Sequence, residues 1–259
     1  MDTTLSNKQI NRLAIPAIIA GVSEPILSLT DAAIVGHITI DPTESLAAVG
    51  IVSSFLSMLI WVLGQSLSAI SAIISKNLGA NKLEQVKTLP AQAIAIIVLL
   101  SIIICCLTIP FSKAVFKFYN ASGPLLNYSV DYFNIRIIGL PFTLYTFAVF
   151  GVFRGLQNTY HPMLIAILGA LVNIFLDLVL VYGITNLIAP MNLKGAALAS
   201  VVSQMVMAIM TTILILKNSS QPSLEERLIL PASLKMKKIY ARKVNPPINP
   251  NDTKCSANS

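Results

Sequence analysis

The stretch AQAIAIIVLLSIIICCLTI at residues 91–109 decides the fold class, because none of its side chains carries a charge. The hydrocarbon core of a bilayer is about 30 Å thick, and a helix crosses it with about 20 mostly apolar residues. A helix that is apolar on every side has to be buried in a large core or in lipid. The stretch therefore predicts a transmembrane helix.

The composition extends this prediction to most of the chain. Of 259 residues, 55% are hydrophobic and 11% are charged, and the mean hydropathy is +0.75. A soluble domain carries about a quarter charged residues. Backbone polar groups find no water in lipid, so a spanning segment is a helix or part of a closed barrel. The apolar runs show no alternation of period 2, and we therefore predict an all-α membrane protein.

Six apolar stretches are long enough to cross the bilayer, and they predict a bundle of six transmembrane helices in residues 1–216. The remaining residues, 217–259, are polar and include Pro246, Pro247 and Pro250. Such a segment buries too little apolar surface to order itself, so we expect a poorly ordered cytoplasmic tail. The predicted spans are residues 10–35, 46–74, 91–109, 135–153, 162–182 and 196–216.

The basic residues predict the orientation, because Lys and Arg concentrate on the cytoplasmic side of membrane proteins. With the N-terminus inside, the outer connections hold Lys113, Lys117 and Lys194, and Arg136 lies at the edge of the fourth span. We therefore expect a multi-pass protein of the cell (plasma or inner) membrane with both termini in the cytoplasm. The net charge of +7 is then a topology signal, and charges scattered in this way do not predict nucleic-acid binding. The inner connections and the tail carry Lys8, Arg12, Lys76, Lys82, Lys87, Arg154, Lys217, Arg227, Lys235, Lys237, Lys238, Arg242, Lys243 and Lys254.

Three carboxylates lie within the apolar spans, Glu24 and Asp31 in the first and Asp177 in the fifth. An ionised side chain in hydrocarbon is costly, so such residues usually face a polar cavity or a partner. Both spans run outward, and Asp31 and Asp177 each lie a few residues before the outer end. Asn173 precedes Asp177 by one helical turn and shares its face. We therefore predict that Asp31, Asn173 and Asp177 meet in the outer half of one bundle.

This group of side chains predicts a site for a coupling cation. One of two neighbouring buried carboxyl groups can load a proton from one side and release it to the other. A hydrated cavity with an added amide oxygen can instead hold Na⁺. Glu24 and Pro16 are the accessory candidates, since bending at Pro16 would couple protonation of Asp31 to the shape of the cavity. The alternative is structural, in which each acid caps a helix end or bonds a hydroxyl such as that of Thr30.

Other chemistry has no support in the sequence. The three cysteines show no spacing typical of a metal site or a disulfide framework. No hydrolase, redox or nucleotide-binding constellation is present. We therefore expect a protein that is not an enzyme, with no metal and no cofactor besides a coupling H⁺ or Na⁺.

At these residues the chain resembles the multidrug and toxic compound extrusion (MATE) family, and its DinF-like branch especially. The similarity covers about residues 8–216 and keeps the order of the elements. The matching segments are LAIPAIIAGVSEPILSLTDAAIVGH (13–37), LAAVGIVSSFLSMLIWVLGQSLSAISAIISKNLGA (46–80), RGLQNTYHPMLIAILGALVNIFLDLVLVYG (154–183) and LKGAALASVVSQ (193–204).

The resemblance implies a function. It implies an N-terminal six-helix lobe that carries the cation-coupling site at Asp31, Asn173 and Asp177, beyond the kink proline Pro16. It further implies antiport, in which twelve helices in two lobes export organic cations and other drugs against H⁺ or Na⁺. This chain stops after six spans, so we expect a truncated N-terminal half. A second lobe, or a second copy in a homodimer, would be needed for alternating access. The alternatives are a flippase for lipid-linked oligosaccharides, which calls for a cationic cavity, and a membrane fragment that transports nothing.

Overall fold

The computed structural model describes residues 7–38, 41–80, 82, 88–184, 187 and 189–219, without the side chains of residues 8, 9, 24, 218 and 219. The chain divides into a unit of residues 1–215 and a unit of residues 216–259. The predicted tail lies outside the described residues apart from the last turn of a helix. The helices are α1 (Asn7–Val35), α2 (Pro42–Gly79), α3 (Leu89–Phe118), α4 (Gly123–Arg136), α5 (Leu140–Gly155), α6 (Tyr160–Tyr182) and α7 (Asn192–Ser219).

These helices provide six membrane spans, with α4 and α5 joined in one continuous segment, Gly123–Gly155. Many apolar side chains point away from the protein, among them Leu29 and Trp61, each 72% exposed, and Phe175, 65% exposed. Such side chains are unfavourable in water and natural in lipid. For the described residues, the prediction of an all-α bundle of six transmembrane helices is confirmed.

The fourth span begins much earlier than predicted. The sequence predicted a start at residue 135, whereas α4 begins at Gly123, with Pro124 in its first turn. The polar side chains of this half-span resemble a loop in a hydropathy scan, but α4 buries Leu126, Ser129, Tyr132 and Phe133 inside the protein. Arg136 is therefore near the middle of a membrane span. The prediction that placed it at the edge was wrong.

The other spans also extend past their predicted ends. α3 continues to Phe118, so Lys113 and Lys117 belong to its last turns, and Lys194 lies in the first turn of α7. All three were predicted to lie in loops. The reason is physical, since a helix continues through the interface while its backbone bonds remain internal, whatever the polarity of its last turns.

A 3₁₀ turn, Ile137–Gly139, interrupts the fourth span between α4 and α5. Pro141 follows it and has no N–H to donate to the carbonyl of Ile137. The Cys105 thiol of α3 donates to that carbonyl at 3.3 Å, and the Leu140 N–H also reaches it. The sequence thus breaks the helix at a point where a neighbouring helix supplies the missing donor.

Close packing of the bundle depends on small residues and on an aromatic cluster. A Cβ added at Gly151 of α5 would lie 2.7 Å from the Leu67 carbonyl oxygen of α2, so only glycine permits this approach. Phe55, Phe116 and Phe133 bring α2, α3 and α4 together, with ring centroids 5.2 to 6.2 Å apart. α1 packs mainly against α6, and this pair carries the predicted site.

Candidate functional site

α1 and α6 end at the same level, as the argument from depth requires. The hydroxyl of Tyr182, the last residue of α6, donates to the carbonyl of Ile34 near the end of α1 at 3.0 Å. Asp31 lies one turn before the end of α1, and Asp177 lies five residues before the end of α6. The two carboxylates are therefore at matched depth.

The structure brings these carboxylates together in the protein interior. Asp31 is 5% exposed and Asp177 is fully buried, and their side chains lie within hydrogen-bonding reach of each other. Asn173, one turn before Asp177 on the buried face of α6, is 2% exposed. The Ser200 hydroxyl of α7 donates to Asp31 Oδ2 at 3.3 Å. The site therefore joins α1, α6 and α7.

Several polar atoms of the site have no partner among the described residues. They are Asp31 Oδ1, both carboxylate oxygens of Asp177 and Asn173 Nδ2. A buried polar atom without a partner is rare and costly. Two ionised carboxylates so close together also repel each other and lose their hydration. The arrangement is therefore suited to a bound cation between the carboxyl groups, or to a proton that one of them donates to the other.

The oxygen ligands of the site favour a hard cation. Carboxylate, amide and hydroxyl oxygens are typical ligands of protons and of hard metal ions, whereas transition metals prefer His and Cys. Within the described residues, no group of three or more His, Cys, Asp and Glu side chains is placed to hold a metal ion. The residues present fit H⁺ or Na⁺.

Several polar residues of the site were not predicted from the sequence. Tyr132 of α4 is 1% exposed, and the charges of Asp31, Asp177 and Arg136 all act on it. Tyr132 and Arg136 share a face of α4 by their spacing of four, but the predicted span began too late to include Tyr132. Ser200 lies in the segment LKGAALASVVSQ (193–204), where a single small hydroxyl among alanines and valines does not predict a role in ion binding.

The two accessory candidates have different outcomes. Pro16 lies inside α1, as does Pro25. It precedes Asp31 by about 22 Å along the helix axis, at 1.5 Å per residue, so it does not touch the site. Glu24 belongs to the backbone of α1, but its side chain lies outside the described residues.

The fold and the site together define a class: a multi-pass membrane protein with a buried group of carboxylates between its helices, an arrangement that is typical of secondary transporters. The profile of the MatE family matches residues 16–179. The chain belongs to the MatE family.

Relatives of known sequence and structure agree with this. The chain is 28% identical over 202 residues to the DNA damage-inducible protein F of Escherichia coli, covering 78% of this chain and 42% of that protein. It is 26% identical over 213 residues to the probable multidrug resistance protein NorM of Thermotoga maritima, covering 81% and 44%.

A solved structure of a MOP superfamily transporter from Pyrococcus furiosus Vc1 has the same fold. It superposes with a TM-score of 0.70 at 24% identity, over 92% of this chain and 54% of that one. The chain thus spans about half the length of the relatives it matches.

Proposed function

We propose that the chain is the cation-coupling lobe of an antiporter that exports organic cations and other drugs across the plasma or inner membrane. In this proposal Asp31 and Asp177 share the coupling ion, H⁺ or Na⁺, and Asn173 and Ser200 assist them. The termini lie in the cytoplasm. The relative named as a probable multidrug resistance protein supports the export of drugs.

The observation that carries the proposal is the buried pair of Asp31 and Asp177. Their orphaned oxygens offer ligands that the protein itself does not saturate, and such a site inside a membrane indicates an ion pathway. The two negative charges of the carboxylates exceed the one positive charge of the nearby Arg136 guanidinium, so the site favours a cation. This argues against the anionic, lipid-linked substrate of a flippase.

Export further requires a second lobe. Alternating access in such transporters comes from one repeat moving against another around a central site. The relatives are about twice as long as this chain. We propose that the second lobe comes from a further segment of protein or from a second copy of this chain.

The test is ethidium export from proteoliposomes that contain the chain. An outward-directed ethidium movement should depend on an opposing gradient of H⁺ or Na⁺, and the Asp31→Asn variant should abolish it. Asp131→Asn is the matched control, because it makes the same change at an exposed carboxylate paired with Lys194. Gradient-driven export that survives in Asp31→Asn would refute the role of the site. A wild-type chain that binds the cation without export would be a lobe that transports nothing alone.

A further inference from the structure

Arg136 is a charged residue in the middle of a membrane span, and the coupling site as proposed gives it no role. It ends α4 within the apolar segment Gly123–Gly155. A guanidinium remains ionised under all ordinary conditions. A permanent charge at this depth requires partners inside the protein.

The partners of Arg136 connect it to the carboxylate pair. With the Gln204 amide oriented to satisfy its neighbours, its oxygen accepts from Arg136 Nη1 at 2.8 Å, and its nitrogen donates to the Gly139 carbonyl at 3.3 Å. The guanidinium also lies within hydrogen-bonding reach of the Tyr132 hydroxyl. Its charge acts attractively on Asp177. Arg136 is thus held by α4 and α7 beside the site.

The charges in this part of the interior can be counted. The charged groups that act on the buried Tyr132 are Arg136, Asp31 and Asp177. With both carboxyl groups ionised, the two negative charges and one positive charge leave a net charge of −1. One bound monovalent cation makes the group neutral, and a second leaves an excess positive charge in a poorly solvated site.

We infer that Arg136 is a tethered counter-ion that limits the Asp31–Asp177 pair to one monovalent cation. This inference rests on the proposed function, because it concerns the stoichiometry of the proposed coupling site. Arg136 does not bind the ion. It acts on the site through its charge, as a positioning and specificity-determining residue. Without it, the same two carboxylates would be neutral only with two cations.

Infrared spectroscopy of the purified chain in lipid nanodiscs measures the number of protonated carboxyl groups in the Asp31–Asp177 pair. Protonated carboxyl groups absorb separately from ionised ones, and subtraction of the Asp31→Asn/Asp177→Asn spectrum isolates the pair. In Na⁺-free buffer at about pH 6 to 7, we expect one protonated carboxyl group in the wild type. The count should double in Arg136→Gln and return to one in Arg136→Lys, which restores the charge.

The controls separate charge from structure. Lys113→Gln removes one exposed positive charge from α3 and should leave the count at one. A wild-type count of zero or two, or an Arg136→Gln count equal to the wild type, overturns the inference. If Arg136→Gln does not fold, Arg136→Met takes its place, because it removes the same charge and keeps an unbranched side chain of similar length; a count that stays at one in that variant also overturns the inference.

Added Na⁺ identifies the cation and keeps the two proposals distinct. Loss of the single carboxyl band on addition of NaCl, and not of choline chloride, means that one Na⁺ replaces one proton. An unchanged band means that the site takes H⁺ alone. The count needs no transport, so a count of one together with gradient-driven ethidium export that survives in Asp31→Asn would refute the proposed function while the charge balance stands.

Discussion

Replacement of Asp177 by Asn tests the site most directly. The substitution keeps the shape of a fully buried side chain and removes one negative charge. Asp31 and Arg136 then balance each other, and the site has no remaining charge to attract a cation. A cation about 4 Å from a carboxylate gains about 4 kcal/mol at an effective dielectric constant of about 20. Affinity should therefore fall by about 1,000-fold.

The assay is equilibrium binding of radioactive Na⁺ to the purified chain, or proton uptake if the chain does not bind Na⁺. We expect saturable binding in the wild type and none in Asp177→Asn at the same concentrations. Stability provides the control, because the substitution also removes the repulsion from Asp31. The melting temperature of Asp177→Asn in cation-free buffer should be equal to or above that of the wild type. An affinity within tenfold of the wild type would refute the charge argument.

Three further predictions concern stability. Gly151→Ala should cost about 1–3 kcal/mol by overpacking against Leu67, whereas Gly50→Ala, where the added Cβ meets no atom within 4 Å, should be neutral or stabilising in thermal melts. A similar loss from both variants would contradict the close contact. Tyr182→Phe should lower stability by about 1 kcal/mol, because it removes the bond between α6 and Ile34; unchanged melting would exclude this bond as a stabilising one. Lys194→Ala breaks an exposed ion pair and should change stability by at most about 1 kcal/mol, so a larger loss would indicate a buried pair.

The number of spans and the pairing of the carboxylates could be predicted from the sequence. Apolar runs such as residues 91–109 can be recognised because span length is fixed by the thickness of the bilayer. Asp31 and Asp177 were predicted to meet because both lie just before the outer ends of helices that run in the same direction. The depth of a residue in the membrane follows from its distance in sequence to the end of its span. The hydrogen bond between Tyr182 and Ile34 shows that the ends of α1 and α6 lie side by side.

The first half of the fourth span could not be predicted in the same way. A hydropathy scan measures polarity, not burial, and it cannot separate a loop from a helix whose polar side chains face the protein. Tyr132 and Arg136 lie on such a helix. The position of Ser200 in the site could not be predicted either, because its hydroxyl on α7 approaches Asp31 only through the packing of helices that are far apart in the chain.

The break in the fourth span connects the fold to the charge of the site. The 3₁₀ turn Ile137–Gly139 precedes Pro141, and the Gly139 carbonyl at the end of this turn accepts from the Gln204 amide nitrogen. Gln204 can then orient its amide oxygen toward Arg136, so the guanidinium at the end of α4 is held inside the bundle. A fixed positive charge at this depth stabilises the folded lobe only while one carboxylate remains ionised. On the inferred charge balance, the state with one bound cation is the neutral state, and we expect it to be the most stable state of the lobe.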